Sequence, residues 1–154
     1  VEKTNMKLTI IRAPAIYGSH APGNFGVIEK LIKYRVPLPV ASIENRRSLV
    51  HIDNIVGFII HCINRKNSVH ELFFVADEEA MSTPEICKLM GRLVGKKVLI
   101  VPFPKKLLKL CLSMLGRPAA AISLLFDLEI STKRAQKVLD WSPTFHAAHL
   151  KNHK

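Results

Sequence analysis

Short β-branched apolar runs alternate along this chain with longer stretches in which apolar residues recur every three or four positions. Leu8 to Ala13 (LTIIRA) is apolar almost without interruption, which predicts a strand buried in a parallel sheet. Pro14 stops it, and a loop containing Gly, Pro and His is expected through Gly23. From Asn24 to Tyr34 the residues Phe25, Ile28, Leu31 and Ile32 fall at helical spacing, with Asn24 as the expected N-cap. Residues 36–40 (VPLPV) read as extended, because proline drives the residue before it out of the helical region. Arg47 to His51 predicts a short strand. A helix follows from about Asn54 to Ile63, with Ile55, Val56, Ile59, Ile60 and Ile63 on one face.

Glu71 to Ala76 predicts another strand, and Ser82-Thr83-Pro84-Glu85 has the form of a capping box. The helix it starts is expected to end at Gly95, a residue suited to the left-handed cap. Lys97 to Val101 predicts a strand, residues 102–104 a turn, and Lys105 to Leu115 a helix. After a proline-broken stretch, Ser131 or Thr132 is expected to cap a last helix through Leu139. Trp141 is expected to pack that helix against the domain. Strand and helix in alternation mean an α/β fold. The first strand has no partner ahead of it to supply hydrogen bonds, so a preceding N-terminal half is expected.

Composition changes little in this picture and charge changes more. In 154 residues, 48% are apolar and 23% charged, as in an ordinary globular domain. The formal net charge of +11 favours anionic partners. With two Tyr, one Trp and no long basic run, nucleic acid is not the expected one. Cys62, Cys87 and Cys111 are odd in number and widely spaced, which argues against a disulfide framework or a zinc site and predicts three buried thiols in a reducing, cytoplasmic setting. No signal peptide is visible, and the most apolar stretch, Leu107 to Phe126, is broken by Lys109, Gly116, Arg117 and Pro118, which excludes a conventional membrane span. Residues 104–116 (PKKLLKLCLSMLG) cluster Lys105, Lys106, Lys109 and Ser113 on one side. The segment suits an anionic membrane surface, but core packing of a helical subdomain is the preferred reading. His146, His149 and His153 would share a face in a helical tail, yet no carboxylate or thiol completes a metal site there.

Three segments in order carry a resemblance. L-T-I-I-R-A-P-A-I-Y-G at 8–18 is similar to a strand and loop of the form ILRPxxVYG. N-R-R-S-L-V-H-I-D-N at 45–54 and S-T-K-R-A-Q-K-V-L-D-W-S-P at 131–143 are similar to an Arg-to-Asp strand motif and to a closing SKxxxxLGWxP motif. Together they resemble the extended short-chain dehydrogenase/reductase family, the NAD-dependent nucleotide-sugar epimerases and dehydratases that include UDP-glucose 4-epimerase-like enzymes. The resemblance covers residues 1–145 and leaves 146–154 as a divergent tail. It implies the C-terminal, substrate-binding part of a Rossmann-like enzyme, with an incomplete parallel sheet and a small mixed α/β subdomain.

The resemblance also implies roles for particular residues. Arg47 corresponds to the family's phosphate-binding Arg, a guanidinium fork suited to a diphosphate. Asn24 corresponds to an Asn at the start of the substrate-contacting helix, and Leu38 lies in the segment that runs along the nucleotide base. The backbone of Ala13 and Pro14 corresponds to the loop that approaches the nicotinamide of NAD. Surface ion pairs of Arg46 and Arg47 with Glu44, an Asn24 that only caps its helix, a Leu38 that is core, and a packed Tyr17 beside a turn are the purely structural alternatives. The departures are equally informative. The chain has no Gly-rich dinucleotide motif. Tyr17 is followed four residues on by Ala21 and Tyr34 by Leu38, so neither forms the family's Tyr/Lys catalytic pair. Ala15 stands where the family has a substrate Asn, and Asp140 precedes Trp141 where it has Gly. A nucleotide-sugar-binding portion without catalytic residues is therefore expected, inactive alone and without tight NAD binding. In the complete family enzyme the oxidoreductase and isomerase chemistry, serving polysaccharide biosynthesis, would be completed by an N-terminal Rossmann half. A non-catalytic remnant or stand-alone binding module is the alternative.

Overall fold

The structure, a computed structural model, describes residues 8–18, 23–65 and 71–146. In chain order the elements are β1 (Thr9–Arg12), β2 (Ala15–Tyr17), α1 (Asn24–Lys33), β3 (Leu49–His51), α2 (Ile52–Asn64), β4 (Glu71–Phe74), α3 (Thr83–Val94), α4 (Lys105–Met114), α5 (Pro118–Leu125) and α6 (Lys133–Leu139). The class is α/β, as the alternation of patterns predicts. The described residues fall into two compact units. One comprises 8–17, 48–65, 71–79 and 130–146, and the other 18, 23–47 and 80–129.

In the first unit the sheet is two separate parallel pairs. β1 lies beside β4 with Ile11 opposite Phe73, and β2 beside β3 with Tyr17 opposite His51. The residues after Pro14 were expected to be loop, but Ala15–Tyr17 form β2. Pro14 ends β1 because it lacks an N–H, while nothing prevents pairing one residue later. The core gathers Val50, Ile55, Phe58, Phe73, Val75, Ala135, Leu139 and Trp141. The Phe58 ring meets Trp141 edge-on at 4.9 Å and Phe73 at 6.1 Å, so Trp141 does pack the last helix as expected. α2 differs from its reading in which face it buries. Ile55 and Phe58 point inward with Asn54, whereas Val56, Ile59, Ile60 and Ile63 are exposed. The helix is apolar nearly all round, so periodicity alone could not select the face.

The second unit packs α1, α3, α4 and α5. The capping box of α3 is present: Ser82 Oγ accepts from Glu85 N, and Ser82 N donates to the Glu85 carboxylate at 2.7 Å. Gly95 closes α3 in the left-handed region at φ 69°. Three readings need correction here. Asn24 is the first helical residue of α1 behind Gly23, not its cap. The strand expected at Lys97–Val101 reduces to one parallel bridge between Ile100 and Leu38, because Pro37 and Pro39 flank Leu38 and cannot donate to a ladder. The proline-broken stretch contains α5, with Pro118 in its first turn, where a missing N–H costs nothing. In α6, Thr132 holds the cap position without a side-chain bond.

Gly91, in α3, is a close-approach site. A Cβ there would overlap the Val98 side chain and lie 2.8 Å from Lys96 O. Helix propensity favours Ala over Gly by about 1 kcal/mol, but overpacking costs about 1–3 kcal/mol. Gly91→Ala is therefore expected to destabilise by about 1 kcal/mol net. A urea midpoint that stays put or rises would show that residues 96–98 do not press on α3.

Candidate functional site

The residues singled out from sequence separate between the units. Ala13 and Pro14 lie in the first unit between β1 and β2, with Ala13 exposed and Pro14 half-buried. Asn24, Leu38 and Arg47 lie in the second.

Asn24 and Leu38 share a cavity of about 180 Å³. Its walls are mainly apolar, with Val27, Leu31, Val40, Leu108 and Leu124 among them, and the polar side chains on it are Asn24 and Arg117. Asn24 Nδ2 donates to Ser123 Oγ at 3.3 Å, which ties the start of α1 to α5. The first N–H groups of α1 have no partner within the helix, and no acidic residue occupies its first turn, so this end favours an anion. Cys87 also lines the cavity, and burial pushes its thiol up to about 11, which leaves it protonated and unreactive. Of the three thiols, Cys87 is buried, Cys62 is half-buried and Cys111 is exposed, so the expectation of three buried cysteines holds at Cys87, holds in part at Cys62 and fails at Cys111. Cys111 falls on the outward side of α4, which hydrophobicity alone did not distinguish.

Arg47 is not part of that lining. Its backbone pairs with Met81, and its guanidinium donates to Phe126 O at 2.9 Å. Burial lowers its pKa, opposed by the nearby Asp127 carboxylate, and a guanidinium remains charged. The same end of α5 is held by Asn45, whose Nδ2 donates to Leu124 O and Phe126 O, and by Thr83 Oγ1 on Leu124 O. Arg46 pairs with Glu129 at 2.7 Å instead of with Glu44. Arg117 went unnoticed as a site residue. Its only sequence signal is a lone cation before Pro118 in an apolar stretch.

The first unit contains a buried polar network that sequence reasoning also missed. Asp77 Oδ2 accepts from Tyr17 Oη at 2.7 Å, and Oδ1 accepts from Asn54 Nδ2 at 2.7 Å and His51 N at 3.1 Å. Asn54 Oδ1 accepts from Thr144 N and Phe145 N, and its Nδ2 also donates to Phe145 O. The Phe145 ring stacks on His51 at 3.7 Å. Burial, then the bond to Asp77, raises the Tyr17 pKa far above its ordinary value, so this phenol is a fixed donor and not a base. The packed-aromatic reading of Tyr17 fits this position.

For metal and cofactor the residues offer little. Among the described residues no group of three or more His, Cys, Asp and Glu is placed to hold a metal ion. His146 lies 3.6 Å from Glu78, while His149 and His153 fall outside the described residues. For NAD, the backbone expected to approach the nicotinamide is that of Ala13 and Pro14. It is accessible, but no Gly-rich turn accompanies it to cradle a pyrophosphate.

No family model matches the chain. UDP-glucose 4-epimerase of Vibrio cholerae is 30% identical over 141 residues, which make up 91% of this chain and 43% of that protein. Among solved structures, UDP-N-acetylglucosamine 4-epimerase from Bacillus cereus superposes with a TM-score of 0.67 at 14% identity, over 97% of this chain and 45% of that one. UDP-glucuronic acid 4-epimerase from Bacillus cereus, in complex with NAD, gives 0.67 at 16% identity, over 96% and 43%. The chain thus spans less than half the length of the relatives it matches.

Proposed function

Because this chain is a relative of the extended short-chain dehydrogenase/reductase epimerases and corresponds to their C-terminal part, we propose that it is a nucleoside-diphosphate-sugar-binding portion of such an enzyme. The observation that carries the reading is the convergence of Asn24 and Leu38 on one cavity beside the start of α1. A cavity of about 180 Å³ is smaller than the roughly 300–1,000 Å³ of whole-ligand sites, so it suits one apolar-walled ring of the ligand with the phosphates outside. Arg47 and the cavity's Arg117 supply guanidinium groups, and the helix end supplies N–H donors, for those phosphates. A base held in this way positions the sugar by binding energy remote from the reacting carbon.

Catalysis belongs to groups this chain does not contain, so no hydride step is assigned to its residues. NAD, when bound by the complete enzyme, supplies transient oxidation of the sugar. A second half that brings the cofactor is supported by the apolar surface of the first unit, where Ile10, Ile16, Phe74 and the outward face of α2 are exposed. The cytoplasmic placement expected from the unpaired thiols belongs to the same proposal.

Isothermal titration of the chain with UDP and with UDP-sugars tests it. Arg117→Ala, at an exposed position, is expected to weaken binding by about 10- to 100-fold, as for one charge-assisted hydrogen bond. Arg47→Ala is expected to do the same with the melting temperature monitored alongside. Absence of binding at millimolar ligand, or affinity unchanged in both variants, would remove the reading. Reduced cofactor formed by the isolated chain from NAD and any UDP-sugar would contradict its assignment as non-catalytic.

A further inference from the structure

We infer that the α4–α5 hairpin is an in-plane docking surface for an anionic lipid bilayer. The first observation is where the charge lies. Eight of the 23 Lys and Arg, and none of the 12 Asp and Glu, fall between Glu85 and Asp127, so most of the net +11 is concentrated in one continuous part of the second unit. The second is which apolar residues the hairpin buries. Only Leu108 of α4 is buried, and Leu112 joins it on the cavity wall. Leu107, Leu110, Cys111 and Met114 recur at i, i+3, i+4 and i+7 on another face, and all are exposed. Core packing, the preferred reading of this segment from sequence, therefore accounts for two positions and leaves the larger stripe uncovered.

The geometry of the turn extends that stripe. Leu115 caps α4 and Gly116 reverses the chain in the left-handed region at φ 69°, so Met114 and Leu115 form the tip of the hairpin, 80% and 73% exposed. Ile122 of α5 and Phe126 just beyond it are also exposed, and Lys109 Nζ lies 5.8 Å from the centre of the Phe126 ring. Lys106 flanks this stripe on α4, while Lys105 and Lys109 lie further round the helix toward Leu108, and their long aliphatic stems can carry the ammonium groups toward headgroups. An apolar face and tip with a cationic face on the same helix matches the headgroup–acyl boundary of an anionic bilayer. A nucleic acid would use the charge and leave the leucines in water. The outward face of α2 offers a contrast, since Ile52, Val56, Ile59, Ile60 and Ile63 include no cation. Among the described residues no helix is long and apolar enough to cross a membrane, so the hairpin would lie on the surface.

The test is co-sedimentation of the chain with phosphatidylcholine vesicles that contain or lack phosphatidylglycerol, at low and high salt. Binding is expected with the anionic vesicles only, and is expected to vanish at high salt. The triple variant Lys105→Gln, Lys106→Gln, Lys109→Gln is expected to bind about 100-fold more weakly, at about 1 kcal/mol per cation near the surface. Met114→Glu with Leu115→Glu is expected to abolish binding, with unfolding and nucleotide affinity unchanged because neither residue lines the cavity. The inference is overturned by no binding at low salt, by equal binding to neutral vesicles, or by binding that survives both variants. It is also overturned if the tip variant dissociates a dimer while vesicles leave the chain in solution, or if RNA is retained and vesicles are not. Apart from the nucleotide-affinity control, none of these outcomes depends on the nucleotide-sugar reading.

Discussion

Asp77→Ala is expected to destabilise the protein by about 4 kcal/mol, since it removes at once the acceptor for Tyr17 Oη, Asn54 Nδ2 and His51 N. Each buried donor left without a partner costs about 1–3 kcal/mol, and the site is too enclosed for bulk water to replace the carboxylate freely. Tyr17→Phe removes only one bond and is expected to cost about 1 kcal/mol. The loss should also be felt at Thr144 and Phe145, whose N–H groups bond to the Asn54 side chain that Asp77 orients. Urea denaturation of the two variants, with amide exchange read at residues 144 and 145, makes the comparison. If Asp77→Ala costs no more than Tyr17→Phe, the carboxylate does not organise this cluster.

Phe58→Ala is expected to destabilise by about 4 kcal/mol, the usual cost of truncating a fully buried aromatic ring. Its ring meets both Phe73 and Trp141, so the deletion opens a cavity between α2, β4 and the segment after α6. Ile60→Ala, two residues further along the same helix, is expected to cost well under half as much, because that side chain is half exposed. The pair tests which apolar face of α2 is the inner one in this chain. Equal losses from the two substitutions would overturn the assignment of Phe58 to the core.

The two faces of α2 also show where sequence reasoning stops. Its existence is readable from the spacing of its isoleucines, yet of the stripe that spacing selects, Ile55, Val56, Ile59, Ile60 and Ile63, only Ile55 is buried. Phe58 and Asn54 take the inner side, and Asn54 does so because its amide is fully matched by Asp77 and by the backbone of 144–145. α4 repeats the lesson, with Leu108 and Leu112 inward and four other apolar positions outward. At the candidate site, Asn24 and Leu38 were singled out only through the resemblance, and the fold sets both on one cavity. Arg117 was not singled out, because its relevance depends on α5 folding back along α1.

What the sequence determined by itself is what neighbours within four or five residues decide. The Ser82–Glu85 box starts α3 and Gly95 ends it, and Pro14 ends β1. The alternation of strand and helix patterns sets the α/β class, and the three ordered motifs point to the family. Those outcomes follow from local sterics and from hydrogen bonds that close within one turn. Only the tertiary structure decided which apolar faces are covered, that Arg47 holds a carbonyl at the end of α5, and that a lone Asp77 gathers three donors. The Tyr17–Asp77 bond spans 60 positions, Arg47–Phe126 spans 79 and Asn24–Ser123 spans 99. A partner that distant leaves no periodicity in the chain, so it becomes visible only when the fold brings the two ends together.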